Sequence, residues 1–295
     1  NTVLKNTFLD LGFQPPSNSY RSTNDLKSPE VHFPLKLFVC HKCWLVQTED
    51  YLSSDQFFTE DYAYFSSVSS SWLEHAKDYS EMIIENLELN SKSFVVEIAA
   101  NDGYLLRNFV SAGIPCLGIE PTTSTAKEAE KLGIPVIQEF FGKSFAEEQF
   151  STKKVDLIIG NNVYAHVPDI YDFSLGLKAA LKPEGIITLE FPHLLKLIND
   201  TQFDTVYHEH FSYLSLKSVC GIFKKAGLKV WNVEELNTHG GSLRIYGCLE
   251  GSERTVSPTV AKILKQEFEM GLTNIEIYNN FQTIQCQKKD NLLNM

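Results

Sequence analysis

The sequence predicts an α/β protein built on a mostly parallel β-sheet that ends in an antiparallel hairpin. Short apolar segments alternate with helical segments from residue 94 onward. This alternation is typical of a parallel sheet with helices on both faces. Only residues 237–241 separate the last two apolar segments. That connection is too short for a helical crossover, so we expect these two strands to pair antiparallel.

The elements follow one another in chain order. A helical pattern begins at Trp72, and further helices are predicted at 103–112, 123–133, 143–149, 171–181 and 215–226. Strands are predicted at 94–98, 116–119, 135–138, 156–160, 185–190, 229–236 and 242–249. Gly113, Gly133 and Gly227 follow three of the helices, and glycine commonly ends helices.

Local composition divides the chain into three parts. Residues 1–72 are rich in serine, proline and aromatic residues and form a small N-terminal domain, and residues 73–250 form the α/β domain. Residues 251–295 return to helical spacing beyond Pro258 and predict the start of a further, helical domain.

Overall composition excludes several classes of protein. The chain has 295 residues, 43% hydrophobic and 21% charged, and its 37 acidic and 26 basic residues give a net charge of −11. This charge opposes nonspecific binding to nucleic acid or anionic membranes. No apolar segment approaches the roughly 20 residues that span a bilayer, and no signal-peptide pattern opens the chain. We therefore expect a cytoplasmic monomer without nucleic-acid or membrane partners.

Polar and small residues follow the predicted parallel strands at the edge where open α/β sheets bind ligands. Glu97 lies near the end of the first strand, and the small-residue segment 99–103 follows it. Glu120 ends the second strand, where an acid can accept hydrogen bonds from a ribose diol. Both acids could instead be strand-end charges. A single glycine stands where a dinucleotide motif has three, so a NAD site has little support.

The segment Tyr207-His208-Glu209-His210 concentrates groups suited to proton transfer. Imidazoles titrate closest to neutral pH. In an extended segment, Tyr207 and Glu209 would face one side and the two histidines the other. The alternative interpretation is an ordinary polar surface loop.

Segments 97–106, 118–121, 161–169, 203–213 and 238–244, in this order, resemble the sugar C-methyltransferase family. Members of that family use S-adenosylmethionine to methylate C3 of nucleotide-linked 4-keto-deoxyhexoses. The resemblance covers about residues 11–249 and implies a class I methyltransferase (Rossmann-like) fold. It also implies an N-terminal zinc-binding domain and a C-terminal domain that helps to hold the nucleotide sugar, with family sequence extending beyond both ends of this chain.

The resemblance assigns roles to individual residues. It implies that His210 is the general base that removes the C3 proton, with Glu209 orienting it or the substrate and Tyr207 near the developing oxyanion. His166 is expected to join them, together with a tyrosine from segment 61–67, either Tyr62, which we favour, or Tyr64. The expected contacts to S-adenosylmethionine are Glu97, Ala99, Asn101, Gly103, Tyr104, Glu120, Asn161 and Asn162.

Two further expectations concern metal and pocket. The family's zinc site resembles two Cys-x-x-Cys pairs, and this sequence contains one of them, Cys40 and Cys43. The resemblance therefore implies structural zinc in the intact protein, whereas two thiolates alone make a weak site. Segment 238–241 is expected to line the pocket that stabilises the enolate.

Two other functions compete with methyl transfer. A metal-dependent hydrolase could use His208 and His210 as a chelating pair, although this is not the His-Glu-x-x-His helix motif. A module that binds S-adenosylmethionine without turnover is the second alternative.

Overall fold

This computed structural model describes residues 2–18, 20–49 and 64–294. The strands are β1 (Asn6–Gln14), β2 (Phe33–Val39), β3 (Val46–Thr48), β4 (Val95–Ile98), β5 (Cys116–Ile119), β6 (Val136–Ile137), β7 (Val155–Asn161), β8 (Leu181–Pro192), β9 (Ser212–Tyr213), β10 (Leu228–Leu236) and β11 (Ser242–Leu249). The helices are α1 (Ser70–Asn86), α2 (Leu106–Ser111), α3 (Thr123–Lys131), α4 (Lys143–Gln149), α5 (Ile170–Ala180), α6 (Leu194–Asp200), α7 (Leu216–Ala226), α8 (Pro258–Glu269) and α9 (Ile275–Leu293).

The larger sheet has seven strands in the order β10-β11-β8-β7-β4-β5-β6. Its strands from β4 to β8 pair in parallel. Strand β11 pairs antiparallel with both β8 and β10. This is the class I methyltransferase arrangement, and the predicted parallel sheet with its terminal antiparallel hairpin is confirmed.

Helices cover both faces of this sheet because its central strands are apolar on both sides. Successive residues of β7 alternate between two cores, with Leu157 and Ile159 in one and Ile158 in the other. All three side chains are fully buried. The near-continuous apolar strands in the sequence therefore reflect burial on both faces.

Element boundaries differ from the predicted ones where backbone constraints act. Helix α5 ends at Ala180, and the chain is extended from Leu181. Pro183 disfavours helical geometry at Lys182, which precedes it. Helix α2 starts at Leu106 rather than at 103, because the preceding loop contains left-handed residues.

The smaller sheet joins the N-terminal strands to a distant part of the chain. Its order is β1-β2-β3-β9, and all of its pairs are antiparallel. One apolar core connects this sheet to α6 and α9. In that core Phe8 stacks on Phe281 with ring centroids 4.6 Å apart. Strand β9 directly follows the segment 207–211, so the N-terminal sheet lies against that segment.

Among the described residues, no helix has both the length and the apolar character needed to cross a bilayer.

Candidate active site

A cavity of about 910 Å³ lies at the carboxyl edge of the parallel strands. Its wall includes the loops after β4, β5 and β7, and the segment 204–210 forms another side. Of the predicted cofactor residues, six line the cavity: Ala99, Asn101, Tyr104, Glu120, Asn161 and Asn162. Glu97 and Gly103 are not part of this lining.

The loop after β4 takes left-handed backbone conformations without glycine at two positions. Ala99 has φ 56° and Asn101 has φ 50°. Such values cost roughly 1–2 kcal/mol for most residues, and asparagine tolerates them best. The Asn101 side chain accepts a hydrogen bond from the Ser66 backbone N–H at 2.9 Å and donates to the Tyr64 carbonyl at 3.0 Å. These contacts tie the loop to the chain that precedes α1.

Gly103 has a packing role in this loop. Its φ is +76°, and an added Cβ would lie 2.4 Å from Ile134 Cδ1 and 3.1 Å from the Ala129 Cα. Only glycine fits this close approach of the loop to α3. Its absence from the cavity wall follows from this packing.

Glu120 lies one residue beyond β5, where backbone donors hold its carboxylate. One carboxylate oxygen accepts the Asn101 N–H at 2.9 Å, and the other accepts the Thr122 N–H at 3.0 Å. The side chain is buried and still borders the cavity. A fixed negative charge thus faces the space where a ribose diol could bind.

Glu97 lies within β4 and is completely buried. Neither of its carboxyl oxygens has a hydrogen-bond partner at normal geometry within the described part of the chain. Burial raises the pKa of Glu97 well above its ordinary value, and the Glu120 and Asp102 carboxyls raise it further. This environment favours the neutral acid.

The segment 207–210 forms a turn, so the extended geometry considered from the sequence is wrong. The His210 N–H donates to the Tyr207 carbonyl at 3.1 Å. This turn brings Tyr207 and His210 to the same side, with ring centroids 4.1 Å apart. The Tyr207 hydroxyl lies 2.8 Å from His210 Nε2.

The hydrogen bonds of His210 define its tautomer. Its Nδ1 lies 3.1 Å from the Thr205 carbonyl oxygen, which can only accept. Nδ1 therefore carries the hydrogen in the neutral ring, and Nε2 accepts from the Tyr207 hydroxyl. Burial lowers the pKa of His210 well below its ordinary value, and the nearby His166 lowers it further. Burial likewise raises the pKa of Tyr207.

His166 lies in the 3₁₀ turn after β7, and its ring centroid is 4.6 Å from that of His210. Burial lowers the pKa of His166 to about 4, although a hydrogen bond to the Glu209 backbone opposes this. Two neutral imidazoles and a phenol therefore converge on one end of the cavity.

His208 points away from this group. Its Nε2 lies 3.3 Å from the Phe33 carbonyl and 3.2 Å from the Pro34 carbonyl, both on β2. His208 and His210 therefore cannot hold one cation between them. In the described ranges, no group of three or more His, Cys, Asp or Glu side chains is arranged to bind a metal. The hydrolase alternative loses its basis.

Comparison with protein families now adds to this geometry. A model described as "Methyltransferase domain" matches residues 72–233. The chain belongs to the methyltransferase family. A model described as "Putative zinc binding domain" matches residues 1–58, and one described as "C-methyltransferase C-terminal domain" matches residues 237–295. These three models, in this order, support the C-methyltransferase assignment predicted from the sequence motifs.

Individual relatives agree with this assignment. The C-methyltransferase NovU of Streptomyces niveus is 32% identical over 275 residues, which are 92% of this chain and 65% of NovU. This methyltransferase chain therefore spans about 65% of the length of that relative. An uncharacterized methyltransferase of Mycobacterium leprae (strain Br4923) is 25% identical over 97 residues, 33% of this chain and 36% of that protein.

The solved structure of the PH0226 protein from Pyrococcus horikoshii OT3 has a TM-score of 0.50 at 12% identity. The likeness covers 63% of this chain and 94% of the PH0226 chain. This likeness concerns the fold alone.

The predicted zinc ligands of the methyltransferase lie in a tight turn between β2 and β3. The Trp44 N–H donates to the Cys40 carbonyl at 2.8 Å, and the Cys40 N–H donates to the Leu45 carbonyl at 2.9 Å. Cys40 is buried and Cys43 is exposed. Tetrahedral zinc needs four ligands, and the described residues supply these two thiols. They do not by themselves fit a complete zinc site.

Of the two candidate tyrosines, Tyr64 is exposed and borders the cavity, and Tyr62 lies outside the described residues.

A buried charged group behind the cavity was not among the predicted site residues. Glu190, fully buried at the end of β8, accepts hydrogen bonds from His75 at 2.9 Å and from Arg244 at 2.8 Å. Although burial opposes it, these two partners hold the pKa of Glu190 below its usual value. In the sequence, Glu190 was marked only by a charge inside an apolar strand.

This charged group holds the loop between β10 and β11. The Thr238 hydroxyl donates to Glu190 at 2.9 Å. The adjacent His239 lines the cavity and meets the Trp72 ring edge-on, with centroids 5.0 Å apart. Trp72 in turn stacks on His75 at 4.9 Å. The structure thus places His239 of segment 238–241 at the cavity through contacts with α1 and β8.

Proposed function

We propose that this methyltransferase transfers a methyl group from S-adenosylmethionine to C3 of a nucleotide-linked 4-keto-deoxy sugar. One observation carries the proposal: a single cavity joins the cofactor edge at Glu120 to the Tyr207–His210 pair. The name of the relative NovU supports carbon as the acceptor atom. A ketone beside the acceptor carbon explains why imidazole and phenol groups are needed there, because carbon becomes a nucleophile once it is converted to an enolate.

The residues at the cofactor edge fit S-adenosylmethionine. Glu120 would accept hydrogen bonds from the ribose hydroxyls. Asn162 Oδ1 is buried without a hydrogen-bond partner among the described protein atoms, and Asn161 Nδ2, near the Tyr104 hydroxyl, has none at normal geometry. Both residues line the cavity. Buried polar atoms without partners are costly, so a polar ligand at this position would satisfy them. When bound, the cofactor supplies the electrophilic methyl group.

His210 and Tyr207 would act together on the sugar. His210 is neutral near pH 7 because burial lowers its pKa, and its Nε2 can therefore accept the C3 proton. In the structure the Tyr207 hydroxyl donates to that same nitrogen. We propose that the hydroxyl turns to the C4 oxygen as negative charge develops there, which stabilises the enolate and frees Nε2 for the proton.

The charge of the cavity limits which part of the substrate enters it. Within the described residues, no lysine or arginine lines the cavity, whereas six acidic residues do: Glu120, Glu139, Asp169, Asp172, Asp204 and Glu209. A diphosphate inside this wall would be repelled. We therefore propose that the keto sugar enters the cavity and that the diphosphate is held at or beyond its rim.

Labelled S-adenosylmethionine tests the function directly. The full-length protein is incubated with it and a panel of nucleotide-linked 4-keto sugars, and NMR locates the transferred methyl group. We expect a new carbon–carbon bond at C3. A methyl group on oxygen, or no transfer to any sugar of the panel, would contradict the proposal.

Substitutions at two residues separate binding from chemistry. Glu120→Ala should weaken binding of S-adenosylmethionine in calorimetry, and Glu120→Gln should do so less because it keeps a hydrogen-bond acceptor. His210→Ala should leave cofactor binding nearly intact and abolish transfer. Unchanged cofactor affinity in Glu120→Ala would refute the ribose assignment.

A further inference from the structure

A turn of the N-terminal region, at Ser17 and Asn18, contacts Glu209 in the proposed catalytic segment 207–210. The Ser17 hydroxyl donates to Glu209 Oε1 at 2.7 Å, and the Asn18 side-chain amide donates to the same oxygen at 2.8 Å. Glu209 is 1% exposed, and Asn18 lies on the cavity wall. These contacts join parts of the chain that are far apart in sequence.

We propose that Ser17 and Asn18 are positioning residues that hold the Glu209 carboxylate and thereby keep Tyr207 and His166 aligned with His210. The catalytic part of this inference rests on the proposed methyl transfer. Its structural part concerns only where Glu209 and the imidazoles lie.

A buried carboxylate is stable only when donors replace the water it has lost. Hydrogen bonds to a charged group are also stronger than neutral ones. Ser17 and Asn18 supply two such donors at normal distances to one oxygen. Without them, the Glu209 side chain would be drawn toward other donors or toward solvent at the cavity mouth.

Glu209 is connected to both partners of the base. Its negative charge adds to burial in raising the pKa of Tyr207, which keeps that hydroxyl protonated and able to donate. Its backbone carbonyl receives the hydrogen bond from His166. A displaced Glu209 would therefore disturb His166 and Tyr207 together.

Other contacts show that the N-terminal region supports this whole segment. The Thr48 N–H donates to the Phe211 carbonyl at 3.1 Å, just after the catalytic turn. His208 faces the β2 carbonyls from within the turn. Ser17 and Asn18 add the contact that reaches the Glu209 side chain itself.

The backbone of Asn18 allows its amide to be tested cleanly. Its φ is 57°, a conformation that glycine adopts without strain. Asn18→Gly therefore removes the amide and keeps the turn. Asn18→Asp keeps the shape of the side chain and places a carboxylate against Glu209. Ser17→Thr retains the hydroxyl donor that Ser17→Ala lacks.

Steady-state kinetics provides the first measurement, with a nucleotide-linked 4-keto sugar that the wild-type protein methylates as the substrate. Ser17→Ala and Asn18→Gly should lower kcat by about 10- to 100-fold, the loss that corresponds to one hydrogen bond to a charged group. Asn18→Asp should lose more than Asn18→Gly, and Ser17→Thr should recover most of the activity. Binding of S-adenosylhomocysteine should hardly change, whereas the thermal midpoint should fall by a few degrees because the buried carboxylate loses a donor. Ser22→Ala is the matched control, because it removes a hydroxyl bond to the exposed Asp25 carboxylate of the same region.

Histidine NMR provides a measurement that needs no turnover. In ¹⁵N-histidine spectra of the full chain, Ser17→Ala and Asn18→Gly should shift the His166 and His210 resonances, and Ser22→Ala should not. Unchanged resonances would overturn the inference even if the enzyme methylates no sugar. If the enzyme does methylate a sugar, wild-type kcat in both variants would also overturn the inference. A loss of kcat matched by an equal loss of cofactor binding would overturn it as well. Absence of transfer by the wild type, by contrast, refutes only the proposed function.

Discussion

Stability of the protein should fall between neutral and mildly acidic pH partly because of His166, and His166→Gln should reduce this fall. Burial lowers the pKa of His166 to about 4, whereas histidine in an unfolded chain titrates near 6.5. Between these values the unfolded chain binds a proton that the folded protein does not. By linkage, stability is full above about pH 6.5 and decreases as the pH falls toward 4.

The size of this contribution follows from the pKa difference. It corresponds to about 3 kcal/mol, and to about 2 kcal/mol once the solvent contact of this half-buried ring is allowed for. His166 also contributes to the low pKa of His210. Removing His166 should therefore bring the pKa of His210 closer to its ordinary value, which also reduces the loss of stability at acidic pH.

Urea unfolding of the cofactor-free protein between pH 7.5 and 4.5 measures the effect. The difference in unfolding free energy between wild type and His166→Gln should move by about 2 kcal/mol in favour of the variant as the pH falls. His32→Gln, which removes an exposed histidine, is the control and should run parallel to wild type. Parallel curves for His166→Gln would show instead that the ring is solvated or charged in the folded state.

Substitutions in three other parts of the structure can be tested by urea unfolding, the last also by kinetics. Glu190→Gln should lower the unfolding free energy by about 3–5 kcal/mol, because it leaves the Arg244 charge buried, and adding Arg244→Met should recover part of that loss; full additivity of the two would contradict the pairing. Ala99→Gly should raise the unfolding free energy by about 1 kcal/mol by relieving a left-handed backbone, while Ala100→Gly, at a neighbour without positive φ, should lower it. His208→Ala should lower it by about 1–2 kcal/mol and reduce kcat without weakening cofactor binding; unchanged kcat would show that the contacts of His208 with β2 do not align the catalytic turn.

The sheet could be predicted from the sequence because its signals are local. A strand buried on both faces appears as a short apolar run, and a short connection forces an antiparallel pair. The loop after β4 shows where such rules end. Ala99 and Asn101 adopt conformations usually left to glycine, and the contacts of Asn101 with Ser66 and Tyr64 hold it there.

The turn at residues 207–210 could not be predicted because its geometry depends on distant partners. Face alternation applies only to extended chain, and segment 207–210 turns where β2 accepts from His208 and the Ser17–Asn18 turn donates to Glu209. A pattern within the segment contains no information about these partners. The residue types nevertheless led to the prediction of proton transfer, because imidazole and phenol groups are rarely gathered without a use.

Two acids at neighbouring strands show which physical difference decides a ligand site. In sequence, Glu97 and Glu120 look alike, each near the end of an apolar strand. Glu97 lies inside β4, where the sheet uses the surrounding backbone N–H groups, so no backbone donor reaches its carboxyl, and burial favours the neutral acid although the Tyr104 hydroxyl opposes this. Glu120 lies one residue past β5, where the Asn101 and Thr122 N–H groups are available to hold its charge at the cavity wall. An acid just beyond a parallel strand is therefore the better candidate for a ribose than one within it, because only there can the backbone stabilise a charge that a ligand can reach.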